Sequence, residues 1–416
     1  MPIARAVNSR WLVLASWAFT RVLIALMGLQ HLPYVDNEIL YNDLDVYSRW
    51  TREISTGIFP SADPMWQYPP FAGAVFVASR LFGEGRTAFV LLSLVVDFLI
   101  LLVLLADGRR RERLQGAWLW VGTALLVGPL LLGRFDLMPT LFAVLAVVWA
   151  GRPVRSGVAS AIGAMLKVWP ALTLLALPRR SLSKAVAAFV VTGIVAMTMV
   201  IGWTGGGLSF LGNQRDRGIQ EESVAALPFL VARMFGAPVQ YVYRYGAMEV
   251  EATGAALAGV IASVVGLVLI AVVAWWRLRG RLEDVAPADV AFTVVLISVA
   301  TSRVFSPQYD VWLLGLGALC LADRRSRLPR AVALVAVASL VAQLVFPWMY
   351  APLNSGGAQA TVLQALRIAL IVGAAALAVV KISPRRPDES DGLDTSDTVD
   401  LTATGEEDQE LAKARN

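Results

Sequence analysis

Cysteine and histidine are almost absent from this chain of 416 residues, which contains one of each, Cys320 and His31. One cysteine excludes an internal disulfide framework and a cysteine metal cluster. One histidine excludes a polyhistidine metal site. We therefore predict no metal held by such residues. We also predict no cofactor.

Charged residues are also scarce, at 16% of the chain, whereas 57% of the residues are hydrophobic. Soluble domains carry about 25% charged residues, so this composition, with a mean hydropathy of +0.63, predicts a polytopic membrane protein. The formal charge of +5 does not indicate binding to nucleic acid. The arginines occur in short runs between apolar segments, where they orient spans by the positive-inside rule. The expected partner is the lipid bilayer.

Apolar segments suited to spanning helices, which need about 20 residues, recur along the chain. The first follows a basic start like that of a signal peptide, but it lacks a small-residue cleavage site, so we expect a retained span. The clear segments lie near residues 11–32, 87–107, 117–133, 184–203, 254–276, 287–304, 329–347 and 360–381. Shorter runs bring the expected number of transmembrane helices to about twelve and lie near residues 69–82, 137–151, 156–178 and 308–322.

Basic runs between the segments predict which ends of the spans face the cytoplasm. These runs are RRRER (109–113), GRPVR (151–155), RRSLSK (179–184), RLRGR (277–281), RRSRLPR (324–330) and PRRP (384–387). The regions predicted to lie outside are then 33–68, 204–253, 305–309 and 348–359.

Two stretches strain this topology. Residues 69–107 contain two apolar runs but must cross the membrane an odd number of times. Residues 156–178 have arginines at both ends and LKVWP in the middle, which predicts a broken or re-entrant segment. Such backbone is tolerated in a membrane only where it lines a cavity or is buried in protein.

Composition divides the chain into a membrane domain, residues 1–382, and a tail, residues 383–416. The tail is acidic, rich in serine and threonine, and nearly free of large apolar residues. We therefore predict that it is disordered and cytoplasmic.

The first outer region contains two acids in DLDVY and a row of aromatic residues in WQYPPF. A helix over residues 37–56 at the membrane surface is expected to place on one face Tyr47, Arg49 and Trp50. An acid held at that boundary, Asp43 or Asp45, is partly desolvated and suits a general base. The alternative is a solvated loop whose acids cap a helix or pair with arginines.

Two later stretches place charge inside or between apolar runs. GRFDLMP contains Arg134 and Asp136, which could serve a functional site. An ion pair between the two within a turn explains them equally well. GAMLKVWPAL puts Lys167 deep in an apolar segment, where a charge is costly and is usually paired or functional. A lysine that snorkels to the surface is the alternative.

Two outer stretches combine charged and amide side chains, with a solvated loop and a plain capped helix as the alternatives. NQRDRGIQEES leads into an amphipathic run and contains Arg215, Arg217, Gln220, Glu221 and Glu222. SRVFSPQYDVW stands at the outer mouth of a span and contains Arg303, Gln308, Tyr309 and Asp310. Arginine and lysine converging on an outer cavity suit phosphate, and a lipid-linked phosphate is the expected ligand.

The order of DLDVY, GIFP, YPP, RFDLMP, LKVWP, RGIQEES and SPQYDVWLL resembles the membrane glycosyltransferases of family 87, the polyprenyl-phosphate-mannose-dependent mannosyltransferases of actinobacteria. RGxQxES and SPQYxxWLL are the more specific motifs, and the resemblance covers residues from about 10 to 380. It implies the GT-C fold, an all-α membrane domain whose active site faces the extracytoplasmic side of the plasma membrane. It also implies inverting transfer of a mannosyl unit from polyprenyl-phosphate-mannose to a glycolipid or lipoglycan, such as a phosphatidylinositol mannoside.

The family's essential acid stands ahead of the Val-Tyr pair, and the matching residue here is Asp43. Asp45 is left with a supporting role or none. Some relatives also use a histidine in the later outer region, whereas this chain has only His31. The two acids resemble the DxD pair of nucleotide-sugar enzymes only superficially, so metal dependence stays open.

We hypothesise a single displacement in which Asp43 takes the proton from the acceptor hydroxyl. The phosphate leaving group needs positive charge, for which Arg217 and Lys167 are the candidates, with Arg134 a weaker one. The residues predicted to bind substrate are Asp45, Trp66, Tyr68, Asp136, Gln220, Glu222, Gln308 and Tyr309.

A transporter or flippase of a lipid-linked sugar is the main alternative. It also needs about twelve helices, and it accounts for intramembrane charges such as Arg21, Asp97 and Lys167. The lack of a convincing inverted repeat and the long loops on one side favour the transferase. A non-catalytic scaffold is a third alternative, but it leaves RGIQEES unexplained. For the transferase, the sequence does not distinguish a mannose donor from an arabinose donor.

Overall fold

The computed structural model describes residues 9–35, 37–204, 210–212 and 217–384, so Arg215 and residues 385–416 of the predicted tail lie outside it. The N-terminal helices are α1 (Arg10–Gly28), α2 (Asn37–Ser55), α3 (Ala72–Ala78), α4 (Gly85–Arg110), α5 (Gln115–Val127), α6 (Leu137–Val148), α7 (Pro153–Leu166) and α8 (Arg179–Thr204). The remaining elements are α9 (Leu227–Met234), β1 (Gln240–Arg244), β2 (Ala247–Glu251), α10 (Ala255–Leu278), α11 (Pro287–Ala300), α12 (Asp310–Ala322), α13 (Pro329–Gln343), α14 (Tyr350–Asn354) and α15 (Ala358–Ile382).

Each predicted apolar segment contains a helix, and the described chain is a mainly helical, multi-pass membrane protein. Six of the described helices are long and apolar enough to span a bilayer, so the count of about twelve is not confirmed. These six are Arg10–Gly28, Gly85–Arg110, Arg179–Gly202, Ala255–Leu278, Pro329–Trp348 and Ala358–Ile382.

The shorter apolar helices occupy the interior. Nearly every residue of α11 and α12 is buried, whereas only 11% of the apolar window of α8 and 17% of that of α10 are buried. A helix that is apolar on all sides is stable only where protein or lipid surrounds it. α8 and α10 therefore present much of the apolar outer surface, whereas α11 and α12 lie in the core together with the inner faces of α4 and α13.

The stretch before α4 resolves one of the two topological conflicts. α3 has seven residues and the 3₁₀ turn Ser79–Phe82 that follows it has four. Together they are too short to span a bilayer. By length, α4 alone crosses within residues 69–107, which satisfies the required odd number.

Basic runs that the sequence assigns to one side of the membrane meet at one end of the bundle. Arg111 pairs with Asp323 at 2.7 Å, and Arg327 pairs with Asp284 at 2.6 Å. Asp323 directly precedes the run at 324–330 and Asp284 follows the run at 277–281, so these ion pairs bring three runs that are distant in sequence close together. The arrangement agrees with a common side for them.

Arg21 of α1 and Asp97 of α4 form a buried pair. Two guanidinium nitrogens donate to the two carboxylate oxygens at 2.9 and 3.0 Å. The other donors of Arg21 reach the carbonyls of Trp120 and Val121 and the hydroxyl of Thr123. Because pairing is what a charge in an apolar interior requires, helix packing explains both charges without a transport pathway.

The predicted break in residues 156–178 is present. α7 ends at Leu166, and Lys167 has extended backbone with φ −156° and ψ 129°. The 3₁₀ helix Trp169–Ala176 follows, with Pro170 in its first turn. Proline lacks the amide hydrogen that an α-helix needs at this point, so the chain restarts instead of continuing, and Lys167 stands at the break.

The antiparallel hairpin of β1 and β2 is a departure from the all-helical prediction. Tyr245 and Gly246 form its turn with φ values of +52° and +78°, a left-handed pair that favours glycine in tight hairpins. The amide of Glu221 donates to the carbonyl of Met248 at 3.0 Å. The RGIQEES stretch is therefore held along the free edge of β2.

The contact between α5 and α12 generates a stability prediction. A Cβ at Gly116 is placed 2.1 Å from the backbone oxygen of Ala318, whereas a Cβ at Gly122 meets nothing within 4 Å. We expect Gly116→Ala to destabilise the protein by about 1–3 kcal/mol through overpacking. Gly122→Ala on the same helix should be neutral or stabilising by up to about 1 kcal/mol.

Thermal unfolding in detergent micelles measures both variants. Equal unfolding temperatures for the two would contradict the close contact between α5 and α12.

Candidate active site

A cavity of about 550 Å³ lies where the predicted outer regions meet. Its polar wall includes Asp43, Gln67, Lys167, Arg217, Gln308 and Tyr309. Its apolar wall includes Val168, Leu172, Phe210, Leu211 and Val299. One space is thus bordered by α2, the break after α7, the RGIQEES loop, the hairpin turn and the segment before α12.

Asp43 lies on α2 with its side chain 25% exposed, and the buried side chain of Arg134 forms an ion pair with it. The Nε atom of Arg134 is 3.2 Å from a carboxylate oxygen of Asp43. Arg134 also donates to the carbonyls of Leu40 at 2.8 Å and Gly133 at 3.1 Å. Since Arg134 is buried and does not line the cavity, the structure assigns it contact with the acid and not with the cavity space.

Asp45 points away from the cavity. Arg86 donates to its two carboxylate oxygens at 2.8 and 2.5 Å, and the side chain is 57% exposed. The hydrogen bonds from Arg86 lower the pKa of Asp45 below its usual range. Two residues advance a helix by about 200°, so the two neighbouring acids face different surroundings.

The predicted shared face of α2 is only partly correct. Tyr47 and Trp50 are both buried, but Arg49 lies off that face and pairs with Asp63 at 2.7 Å. Asp63 also accepts a hydrogen bond from the indole of Trp50 at 2.8 Å. The loop after α2 therefore closes over the aromatic side of the helix.

The aromatic residues of WQYPPF divide between the cavity wall and the core behind it. Tyr68 lines the cavity and shares a 3.0 Å hydrogen bond with the hydroxyl of Tyr47. Trp66 is 1% exposed and packs edge-on against Trp50 with ring centroids 4.9 Å apart. Tyr68 can contact a substrate, whereas Trp66 supports the wall.

Lys167 reaches the cavity from the break after α7 and is paired there. Its amine donates to Asp136 at 2.7 Å, and it lies 4.8 Å from the ring centre of Tyr309 and 4.7 Å from that of Trp312. The indole of Trp312 donates to the same oxygen of Asp136 at 2.6 Å. Asp136 is buried and does not line the cavity, so it contacts the lysine instead of the space in front of it.

Of the RGIQEES loop, only Arg217 lines the cavity. Gln220 and Glu222 are buried below it. Glu222 pairs with Arg367 of α15 at 3.2 Å, and its carbonyl accepts from Gln364 at 2.7 Å. Glu222 therefore anchors the loop to α15, and Gln220 donates to Glu222 at 2.8 Å, so neither of these predicted substrate-binding residues faces the cavity.

Several residues on the cavity wall have no counterpart in the sequence prediction. They are Met65, Gln67, Ser298, Ser302, Ser306, Trp312, the hairpin turn at Tyr245 and Gly246, and Ala247 at the start of β2. Gln67 and Trp312 lie inside the WQYPPF and SPQYDVW motifs, so a closer reading of these motifs was the available signal. The turn gives no such signal, because it reaches the cavity only through the pairing of β1 with β2.

Burial of two neighbouring acids generates a pH prediction. Burial, and next the charge of Glu222, raise the pKa of Glu221 to about 9. Burial also raises the pKa of Glu222 to about 7, although Arg367 opposes this. Folding therefore takes up protons above the ordinary pKa of about 4.3 for glutamate, so stability should be fully present below that pH and decline as pH rises towards 9.

Thermal unfolding in detergent from pH 5 to 9 measures this decline. Glu221→Gln should flatten it, by at most ~1.4 kcal/mol per pH unit for one group, whereas the exposed Glu251→Gln should leave it unchanged. A wild-type stability that rises over this range would refute the prediction.

The sequence model of glycosyltransferase family 87 matches residues 66–307, which include Tyr68, Lys167 and Arg217. ArnT from Cupriavidus metallidurans, solved bound to undecaprenyl phosphate, is similar in structure with a TM-score of 0.44 and 18% identity, covering 89% of this chain and 78% of ArnT. No curated protein matches the chain. The family match extends over more than half of the sequence, and the chain belongs to glycosyltransferase family 87.

Proposed function

We propose that this membrane glycosyltransferase has a GT-C fold and transfers a mannosyl unit from polyprenyl-phosphate-mannose to a glycolipid or lipoglycan, with inversion. The observation that carries the proposal is the composition of the cavity, which one acid and two cations line together: Asp43, Lys167 and Arg217. The active site faces the extracytoplasmic side of the plasma membrane, opposite the basic runs. A phosphatidylinositol mannoside is a suitable acceptor.

Asp43 acts as the general base on the acceptor hydroxyl. It lines the cavity from a helix, and Arg134 contacts one of its oxygens. A positioned base contributes ~10²–10⁴-fold to such a proton transfer. Asp43 precedes the matched family segment, so its role rests on the resemblance of DLDVY and on this geometry.

Lys167 and Arg217 stabilise the phosphate that departs. Phosphate is a weak base and needs positive charge more than a proton. Lysine supplies a point charge, and arginine supplies a fork of donors that matches phosphate oxygens. Both residues line the same cavity as Asp43. A single displacement requires this, because the acceptor oxygen attacks the anomeric carbon from which the phosphate departs.

The remaining wall suits a sugar joined to a prenyl chain. Tyr68 and Tyr309 contribute aromatic side chains to the cavity wall, and the amide of Gln308 can bind sugar hydroxyls. Apolar residues that include Val168, Leu172 and Phe210 line the same space. A prenyl chain is the part of the donor that such a surface accommodates.

A transporter receives less support from these contacts. Arg21 and Asp97 satisfy one another away from the cavity, and Lys167 pairs with Asp136. The intramembrane charges therefore have local partners. A transfer assay separates the two functions.

That assay uses purified protein, radiolabelled polyprenyl-phosphate-mannose and a panel of membrane glycolipids. Labelled glycolipid supports the transferase. Label that crosses the membrane of sealed vesicles without transfer supports a flippase. A parallel assay with the corresponding arabinose donor tests which sugar is transferred.

Replacement of Asp43 provides the sharpest test of the mechanism. Asp43→Asn keeps the shape and an oxygen for Arg134 but cannot accept a proton at neutral pH. Turnover should fall about 10²-fold or more, with the unfolding temperature nearly unchanged. Asp45→Asn, two residues away and facing Arg86, is the matched control and should retain most of the activity.

Equal, mild losses in both Asn variants would leave Asp43 a structural residue. Collapse of folding in Asp43→Asn alone would do the same.

Replacements on the two sides of the Lys167 ion pair should have opposite effects. Lys167→Met removes the positive charge that faces the phosphate and should raise the KM for the donor about tenfold or more. Asp136→Asn keeps the lysine and removes its competing carboxylate, so donor KM should stay equal or fall. If Asp136→Asn weakens donor use as strongly as Lys167→Met, the carboxylate positions the lysine for the donor instead of competing with it, and the predicted opposite effects are wrong.

A further inference from the structure

Arg217 is fixed from one side by an amide. Its Nη1 atom donates to the side-chain oxygen of Gln67 at 2.5 Å. The amide nitrogen of Gln67 in turn donates to the carbonyl of Tyr245 in the hairpin turn at 3.2 Å. Because the nitrogen of this amide faces the turn, its oxygen is presented to the arginine.

A buried carboxylate stands on the other side of Arg217. Oε1 of Glu249 is 3.9 Å from Nε of Arg217, and the two side chains are 5% and 9% exposed. This distance is too long for a hydrogen bond but short enough for attraction between the charges. Neither atom has a hydrogen-bond partner among the described residues. Glu249 therefore balances the charge of Arg217 while leaving the Nε donor unoccupied.

The fold holds Glu249 in this place. It lies on β2, where it is opposite Val242 of β1 and forms a bridge to Gln220 on the other edge. Its side chain packs over Gly218, where an added Cβ lies 3.0 Å from Oε2. The backbone of Glu249 is paired on both edges of the strand, and its side chain is 5% exposed, so the fold confines the carboxylate beside Arg217.

We propose that Glu249 is a built-in counter-ion of Arg217 that limits how tightly the cavity binds a phosphate group. The proposal deepens the proposed function, on which it rests, because it assumes that Arg217 meets the phosphate. In the empty cavity the carboxylate keeps a buried guanidinium paired, as burial requires. With phosphate bound, two anions share one arginine, which weakens binding and favours release of the prenyl phosphate product.

Binding of farnesyl phosphate to the full-length protein in detergent tests this role, with farnesol as the probe that lacks the phosphate. Glu249→Gln keeps the shape and removes the charge, so it should bind farnesyl phosphate about tenfold more tightly and bind farnesol as the wild type does. Glu251→Gln is the matched control, since it removes the same charge from the same strand but from a side chain that is 43% exposed and paired with Arg244. It should bind both probes as the wild type does.

Glu249→Asp supplies a second variant in case Glu249→Gln unfolds. It keeps the charge but retracts it by one methylene, so a smaller tightening is expected. In the transfer assay, Glu249→Gln should lower the KM for the donor without raising kcat.

Weaker or unchanged farnesyl phosphate binding by Glu249→Gln, or a parallel change for farnesol, would overturn the proposal. Farnesyl phosphate binding by Arg217→Gln tests the proposed function separately. If Arg217→Gln weakens farnesyl phosphate binding and Glu249→Gln does not tighten it, only the counter-ion role fails. If Arg217→Gln has no effect, or the wild type does not bind the probe, the phosphate site itself is wrong and both fail.

Discussion

A charge inside an apolar interior is costly unless it is paired, and this constraint connects the packing of the helices to the construction of the cavity. Arg21 and Asp97 tie α1 to α4 in the core. Lys167 and Asp136 tie the break after α7 to the start of α6 beside the cavity. Each pair joins segments distant in sequence, so the contacts that determine how helices pack also determine where the polar side chains of the site stand.

The first outer region shows how a polar helix is made rigid beside an apolar bundle. α2 is not a membrane span by length and composition, and its buried face combines aliphatic residues with Tyr41, Tyr47 and Trp50. Tyr47 and Trp50 pack against Trp66 and Tyr68, with two hydrogen bonds at the edges of the cluster. Rigid support of this kind is what a positioned base needs. The aromatic residues of this region therefore hold α2 in the orientation that places Asp43 on the cavity wall.

Local pattern predicted the helices and the break, because the causes of both lie within a few residues. Pro170 lacks an amide hydrogen, and its position in LKVWP sufficed to predict that the segment is interrupted at Lys167. The number of spans was not predictable in the same way. Apolar length does not distinguish a helix surrounded by lipid from one surrounded by protein, and α11 and α12 are of the second kind.

The partners of a site residue depend on contacts that no local pattern contains. Arg217 was predicted from its charge in an outer loop, but its partners come from Gln67, 150 residues earlier, and from Glu249 on a strand that the helical prediction did not include. Without those partners the arginine reads as a simple phosphate ligand. With them, one donor of the arginine is occupied by an amide and a buried carboxylate lies 3.9 Å from its Nε atom, so the proposed affinity for phosphate becomes a balance between a bound anion and that carboxylate.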